Sequence, residues 1–565
     1  MHPISITTFT VVCLLSCSSS YLRARAQSTQ KIVLTKEVDT FIDQVIANWT
    51  SPGGAAVTVV KLDEQGEWHV ETKGYWIATL NGTRVTENTR FGIGSNSKLF
   101  NILATGLLVN NETISPRLSW TTKIASIVPI WGLQGPIASK QASLLDVMSH
   151  RTGMPRHDFH YKWKDDVPTV FLKPSAEFRE IWQYDNSMYT LLSYLPSLFL
   201  PSKTPFPRYV KEHILALGMT STTYSFDVAD GSGLLADGMI KQLTSPNDIF
   251  GNGTIRAMPF WVPLGSEDGN VLSGAAGVIS TAKDMAIWLQ TLLLDGVKPG
   301  TNTSVIPVSA IERAASGISV EVGQAPFPEL SPVVYGGVQA RSTYRGHELI
   351  ERGGDVPGFH SQVSRMPFDN LGVAVLTNDH LPGGGRLEQQ AGALVSIPQP
   401  PATLRPTTNL SLLSVNFTTI AGKYSNDGYG DFELCIISPK DPAASPACQV
   451  LASGNPTTLP GLINPKVPTF IGAWDSPWAS HIMITHFNGD SCNVTAFSVY
   501  PTGDPTEPFW TQGDDGTNFD TYAELVVDQD HVGLGITGIW GAGVGVPSPQ
   551  GKTARERSEV WFDKI

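Results

Sequence analysis

Apolar residues recur at helical spacing from Val33 to Trp49, with Val38, Phe41, Ile42, Val45, Ile46 and Trp49 on one stripe, which predicts a helix packed along one face. Ala55 to Lys61 and Trp68 to Trp76 read as paired strands across an Asp63-Glu-Gln-Gly66 turn. Leu99, Phe100, Ile102, Leu103, Leu107 and Leu108 then mark a helix buried nearly all round. A loop-rich, largely helical middle ends in a helix from about Thr281 to Leu294, opened by Ser280 and Thr281 ahead of Asp284 in the pattern of a capping box. Val334 to Met366 and Gly372 to Thr377 return to strand-like segments. Strands at both ends with helices between them predict an α/β (α+β) region, an antiparallel sheet flanked by helices with an inserted helical subdomain.

The segment Ile397-Pro-Gln-Pro-Pro-Ala-Thr-Leu-Arg-Pro406 is proline-rich and marks a linker over residues 397–407. From residue 408 to 565, short alternating or aromatic runs such as Ala523–Val527 and Val532–Trp540, broken by Gly, Asp and Pro, predict an all-β C-terminal domain, a sandwich or barrel. At the other end, Ile4 to Leu15 is apolar and too short to span a bilayer, and Ala24-Arg25-Ala26 follows it. Residues 1–26 therefore read as a signal peptide, and residues 27–396 as the main domain. No later stretch reaches the length of a membrane span, and the product is expected to be secreted.

The formal charge of the whole chain is −12, and the leader carries Arg23 and Arg25 with no acid, so its removal leaves about −14. Such a surface repels nucleic acid and anionic membranes. Sequons at Asn48, Asn81, Asn111, Asn252, Asn302, Asn409, Asn416 and Asn493 offer glycan sites in a eukaryotic secretory route. Beyond the leader only Cys435, Cys448 and Cys492 remain; Cys435 and Cys448 are the first choice for a disulfide, since they flank a Pro-rich loop. Thiol chemistry is thereby excluded from the main domain.

The chemistry sits in Phe91-Gly-Ile-Gly-Ser95-Asn-Ser-Lys98-Leu-Phe100. Residues three apart share a helix face, so a neutral Lys98 amine is within reach of the Ser95 hydroxyl and able to take its proton. A chain of this length holds roughly two Ser-x-x-Lys by chance, and Ser28-Thr-Gln-Lys31 and Ser280-Thr-Ala-Lys283 are the others. Ser28 lies beside the expected leader and Ser280 opens a helix, whereas Ser95 follows Gly92 and Gly94 and heads the buried helix, whose N-terminus favours a developing oxyanion. Tyr184-Asp185-Asn186 is a second element: a phenol beside a cation is expected to ionise below its ordinary range and carry a proton. Tyr424-Ser-Asn426 repeats its spacing in the β-rich tail. His157-Asp-Phe-His160 with His150 lacks a third ligand at zinc spacing, so no metal and no cofactor is expected.

With Ser143-Leu-Leu-Asp-Val-Met-Ser-His150-Arg-Thr-Gly153-Met-Pro155 between those elements, and Gly274-Ala-Ala-Gly277-Val-Ile-Ser-Thr281 after them, the chain resembles the serine β-lactamase and penicillin-binding-protein superfamily over roughly Ile32 to Ala393, in its class C β-lactamase-like branch. The resemblance implies that Ser95 is the acylated nucleophile, Lys98 its proton acceptor or electrostatic partner, Tyr184 the base that activates deacylating water, and Asn186 the residue that orients Lys98 and a substrate amide. The acylation base stays open between Lys98 and Tyr184. The family's Lys-Thr-Gly or His-x-Gly strand matches Glu351-Arg352-Gly353-Gly354-Asp355, which puts Arg352 where Lys or His stands. Arginine cannot exchange protons there, but it is expected to hold a carboxylate and to lower a neighbouring phenol. By the same resemblance, the backbone N–H groups of Ser95 and Asp355 form an oxyanion hole, and Gly353 and Gly354 keep the strand slim against substrate. The expected activity is hydrolysis of an ester or amide, such as a β-lactam, D-peptide, small ester or lactone, through an acyl-enzyme. An acyltransferase or a catalytically silent binding homologue are the alternatives. The expected partner is a small-molecule substrate, and the sequence sets no oligomeric state.

Overall fold

The stripe of Val38, Ile42 and Ile46 folds as helix α1 (Lys36–Asn48), whose buried face covers Val57, Val59, Tyr75, Val373 and Val375 of a sheet. The computed structural model describes residues 32–565 except 49–51, 162–171, 245–252, 261–266, 326, 381–410, 439–444, 450, 452–458, 460, 464–466, 503–507, 513–520, 528–530 and 543–545. The expected leader, the 397–407 linker, Asn252 and Asn409 thus lie outside the described residues.

Strands β1 (Ala55–Leu62) and β2 (Trp68–Tyr75) pair antiparallel across the Asp63 turn, which Gly66 closes at φ +83°. After β3 (Arg90–Gly92) come helices α2 (Ser97–Asn110), α3 (Leu144–Met148) and α4 (Ser187–Ser193), strand β4 (Ile279–Thr281) and helix α5 (Ala282–Leu293). Six further strands follow: β5 (Ser319–Val322), β6 (Val333–Tyr335), β7 (Ala340–Tyr344), β8 (His347–Val356), β9 (Phe359–Met366) and β10 (Leu371–Thr377). They join the first two in an eight-stranded antiparallel sheet of order β2-β1-β10-β9-β8-β7-β6-β5. Residues 55–60 of β1 are all buried because α1 covers one face and α5 the other, where Thr58 Oγ1 donates to Ala282 O at 2.7 Å. The capping box expected before α5 is half made. Thr281 Oγ1 accepts from Asp284 N at 3.1 Å, but the Asp284 carboxylate turns to Ser221 N and Thr222 Oγ1 instead of returning to the cap.

Beyond Ser411 the alternation expected for an all-β domain closes a barrel. Strands β11 (Gly422–Asn426), β12 (Gly430–Ser438), β13 (Thr469–Ser476), β14 (Ala479–Asn488), β15 (Ser491–Tyr500), β17 (Tyr522–Val527), β18 (Val532–Thr537) and β19 (Val560–Lys564) form the ring β14-β13-β12-β11-β19-β18-β17-β15, which shuts through β14–β15, with β16 (Phe509–Gln512) on its rim. Closure removes the exposed edges. A disulfide joins Cys435 to Cys448, and Cys492 is a buried free thiol. The barrel packs directly on the main domain: the Phe159 ring stacks on Trp474 at 5.1 Å and Trp540 at 5.0 Å, and one apolar cluster runs through both. Among the described residues no helix is long and apolar enough to cross a membrane.

Candidate active site

Ser95 sits in a single 3-10 turn, Gly94–Asn96, between β3 and α2. Phe100 of α2 stacks on Trp288 of α5 at 4.2 Å, which fixes the helix that the turn feeds. Asn96 Nδ2 donates to Ser361 Oγ and Ser361 Oγ to Ile93 O, each at 2.8 Å, so the turn is pinned to β9. Gly94 has φ +51°, and a Cβ there would lie 2.6 Å from Asp355 N, so turn and strand β8 meet backbone to backbone. A Cβ on Gly354 would meet Ser361 Oγ at 2.7 Å. Gly353, on the opposite face of β8, is half-buried. Val356 and Phe359 close the β8–β9 hairpin, and Asp355 pairs with His360 beside them.

Two side chains meet at the Ser95 hydroxyl, and a third supports one of them. Lys98 Nζ lies 2.9 Å from Ser95 Oγ and donates to Ala275 O at 2.9 Å, and Tyr184 OH is 2.6 Å from the same Oγ. Arg352 reaches in from β8: one terminal nitrogen donates to Tyr184 OH and the other to Tyr335 OH, both at 2.9 Å. Lys98 is wholly buried, and desolvation, then the Arg352 charge, push its amine well below the ordinary lysine range. The faces of Tyr184 and Tyr189, 4.9 and 5.4 Å from Nζ, would stabilise the ammonium once it takes a proton. Burial would lower the Arg352 guanidinium, but the phenols of Tyr335, Tyr184 and Tyr189 outweigh it and hold the group above its ordinary value.

Comparison with known proteins gives the family. The Beta-lactamase family profile matches residues 39–395, more than half of the chain. The chain belongs to the Beta-lactamase family. Curated relatives are an unguisins hydrolase of Aspergillus campestris, 28% identical over 348 residues, and one of Aspergillus violaceofuscus, 28% identical over 352. The match covers 60% of this chain and 60% of the first relative, and 58% and 59% for the second, so the chain spans about three-fifths of their length. Among solved structures, the octameric penicillin-binding protein homologue from Pyrococcus abyssi is 17% identical, with a TM-score of 0.49, covering 88% of this chain and 97% of that one. A class C beta lactamase from Rhodobacter sphaeroides is 19% identical, with a TM-score of 0.46, covering 64% and 99%.

Three expectations for this Beta-lactamase family site need correction. Asn186 does not turn to Lys98; its Nδ2 donates to the buried Asp158 carboxylate at 2.8 Å, which gives that charge a needed partner. Tyr184 is not lowered, because burial raises the phenol and the cations Arg352 and Arg156 only partly offset it. Arg352 is buried with both terminal nitrogens engaged by phenols, so it props Tyr184 rather than waiting for a substrate carboxylate. The histidines are occupied too: His157 contacts Tyr429 OH at 2.7 Å and Lys173 O at 2.8 Å, and His160 Nε2 contacts Ser187 Oγ at 3.1 Å. His150 accepts from Asp185 N at 3.1 Å and lies under the Tyr184 ring at 4.7 Å, kept neutral by burial and by the Arg352 charge. Tyr424, the other Tyr-x-Asn, is barrel core, donating to Ile420 O at 2.7 Å.

Sequence reading missed Arg156, Tyr335 and Glu321. Arg156 directly follows the quoted His150–Pro155 motif, whereas nothing local marks Tyr335 or Glu321, which the sheet brings in from a distance. Burial pushes the Glu321 carboxyl up to about 7, with Arg352 pulling the other way. Of the sequons, Asn48, Asn81, Asn302 and Asn416 are exposed, and Asn111 and Asn493 are half-buried; the Asn493 amide oxygen is enclosed in β15, a poor place for a glycan.

Proposed function

We propose that this is a secreted serine hydrolase that cleaves an amide or ester through an acyl-enzyme on Ser95. The observation that carries the reading is the single hydroxyl shared by Lys98 Nζ at 2.9 Å and Tyr184 OH at 2.6 Å inside a buried cationic pocket. Lys98, with its amine well below the ordinary range, is the proton acceptor for acylation, and Tyr184, whose phenol is raised, is the proton donor to the leaving group. This reading assigns the acylation base to Lys98. Ser95 Oγ attacks the carbonyl carbon as its proton passes to Lys98. The tetrahedral adduct collapses, the C–N or C–O bond breaks, and the leaving group takes the Tyr184 proton, which the Lys98 ammonium restores. Water then attacks the acyl carbon, gives up one proton along the same route and returns Ser95 to its hydroxyl form. The N–H groups of Ser95 and Asp355 hold the oxyanion, since β8 and the Ser95 turn already touch at Gly94.

The name of the relatives, unguisins hydrolases, supports hydrolysis as the reaction. The assembled trio argues against a silent homologue. The test uses a fluorophosphonate probe with mapping of the modified residue, and turnover of a nitrophenyl ester and a peptide amide, for wild type beside Ser95→Ala. Labelling at Ser95 with loss of turnover in the variant is expected; labelling elsewhere contradicts the proposal.

A further inference from the structure

Arg156 ties the barrel to the reacting hydroxyls. Its guanidinium lies 5.3 Å from the Tyr184 ring and 3.9 Å from the Trp540 ring, with Trp478 at 5.9 Å. Nε is 2.7 Å from Asp158 Oδ2, the carboxylate that also accepts from Asn186. Trp540 and Trp478 belong to barrel loops, so a group touching the catalytic phenol is held in place by the other domain.

The barrel side is built to hold that loop still. The Glu559 carboxylate, buried at the start of β19, accepts from Ile539 N at 3.2 Å and Gly541 N at 3.0 Å, the N–H groups flanking Trp540. Trp540 O in turn accepts from His157 N at 2.9 Å. Trp540 has φ +64° and His157 φ +48°, so two non-glycine residues in the left-handed region meet at one hydrogen bond. Such a backbone is strained for a residue with a side chain and persists only where its surroundings over-determine it. His157 stands next to Arg156, so this junction fixes the guanidinium's departure point.

We propose that the barrel completes the active site: the Trp540 turn acts as a buttress that clamps Arg156 against Tyr184, making Arg156 a positioning residue for proton transfer at Ser95. This rests on the reading of Ser95, Lys98 and Tyr184 as the catalytic trio. The cations facing the phenol are Arg352 from β8 and Arg156, beside the buried Lys98 amine of α2; the acids are Asp158 and Asp185, with His150 beneath kept neutral. From the barrel, the buried Tyr429 phenol faces Asp158 and Asp185 and is kept protonated by desolvation and by the Glu559 charge. The Arg156 charge lowers both Tyr184 and Lys98. Loss or displacement of that charge therefore moves the ionisation that switches the site on to higher pH, whichever of the two groups dominates it.

The experiment measures the rate of fluorophosphonate labelling at Ser95 from pH 5 to 10 in the full-length protein, for wild type, Trp540→Ala, Trp540→Phe, Arg156→Lys and Arg156→Gln. Trp540→Ala and Arg156→Gln are expected to shift the rising limb alkaline by about half a unit to one unit, given the charge's distance and partial exposure. Arg156→Lys and Trp540→Phe should recover at least half of that shift. Thermal unfolding checks that each variant is folded; if Trp540→Ala is not, Arg156→Gln carries the test. A limb that coincides with wild type overturns the buttress, including where the rate falls equally at every pH. Failure of wild type to label at Ser95 would instead overturn the hydrolase reading.

Discussion

At the scale of single residues, the site works because burial acts in opposite directions on an amine and a phenol. Desolvation pushes the Lys98 amine down and the Tyr184 phenol up, which suits the proposed base and acid on either side of one hydroxyl. Tyr184→Phe removes the acid and should slow ester turnover by about two to four powers of ten, measured as kcat at pH 7. Glu321 gives a separate pH prediction. Its carboxyl titrates near 7 when folded, above its ordinary 4.5, so the folded state binds the extra proton. Stability is therefore fully present below the ordinary value and falls as pH rises from there through 7. Glu321→Gln should raise the unfolding free energy at pH 8.5 by on the order of 2 kcal/mol and hardly change it at pH 4.5. An equal effect at both pH values would contradict the assignment.

At the scale of elements, the Ser95 turn depends on Gly94. A left-handed φ alone costs an alanine about 1 to 2 kcal/mol, and its Cβ would press on Asp355 N of β8. Gly94→Ala should lower the melting temperature and reduce Ser95 labelling by more than tenfold, because the clash falls on the strand expected to supply an oxyanion donor. Labelling at the wild-type rate would show that turn and strand are not coupled. Much of this was legible in sequence. Periodicity marked α1, α2 and α5, the first two strands and the strand-like stretches from Val334 to Thr377, but not β5, and Ser95, Lys98 and Tyr184 stand close together in space. The partners of Asn186 and Arg352 were not legible. Each is chosen by a buried group on a distant segment, Asp158 for the first and Tyr335 for the second, and no local pattern carries that information.

At the scale of the molecule, the barrel is fastened to the main domain through Phe159, His157 and Arg156, the last of which lies 5.3 Å from the Tyr184 ring. Lys173 adds donation to Glu556 O at 3.2 Å and Ser558 O at 3.1 Å. The shared apolar cluster predicts a single cooperative transition in scanning calorimetry of the intact protein. Two transitions, with labelling retained after the first, would make the barrel a passive module. Composition foretold a β-rich tail but not its docking, because Trp474, Trp478 and Trp540 read as ordinary strand or turn aromatics until the fold aims them at one loop.

The most direct measurement is the pH dependence of acylation at Ser95, followed by intact mass after brief exposure to a fluorophosphonate. A single adduct on Ser95, forming readily at neutral pH and absent in Ser95→Ala, is the predicted result. An adduct elsewhere, or one that forms on Ser95 only where an ordinary lysine loses its proton, would contradict a buried neutral Lys98 as the base.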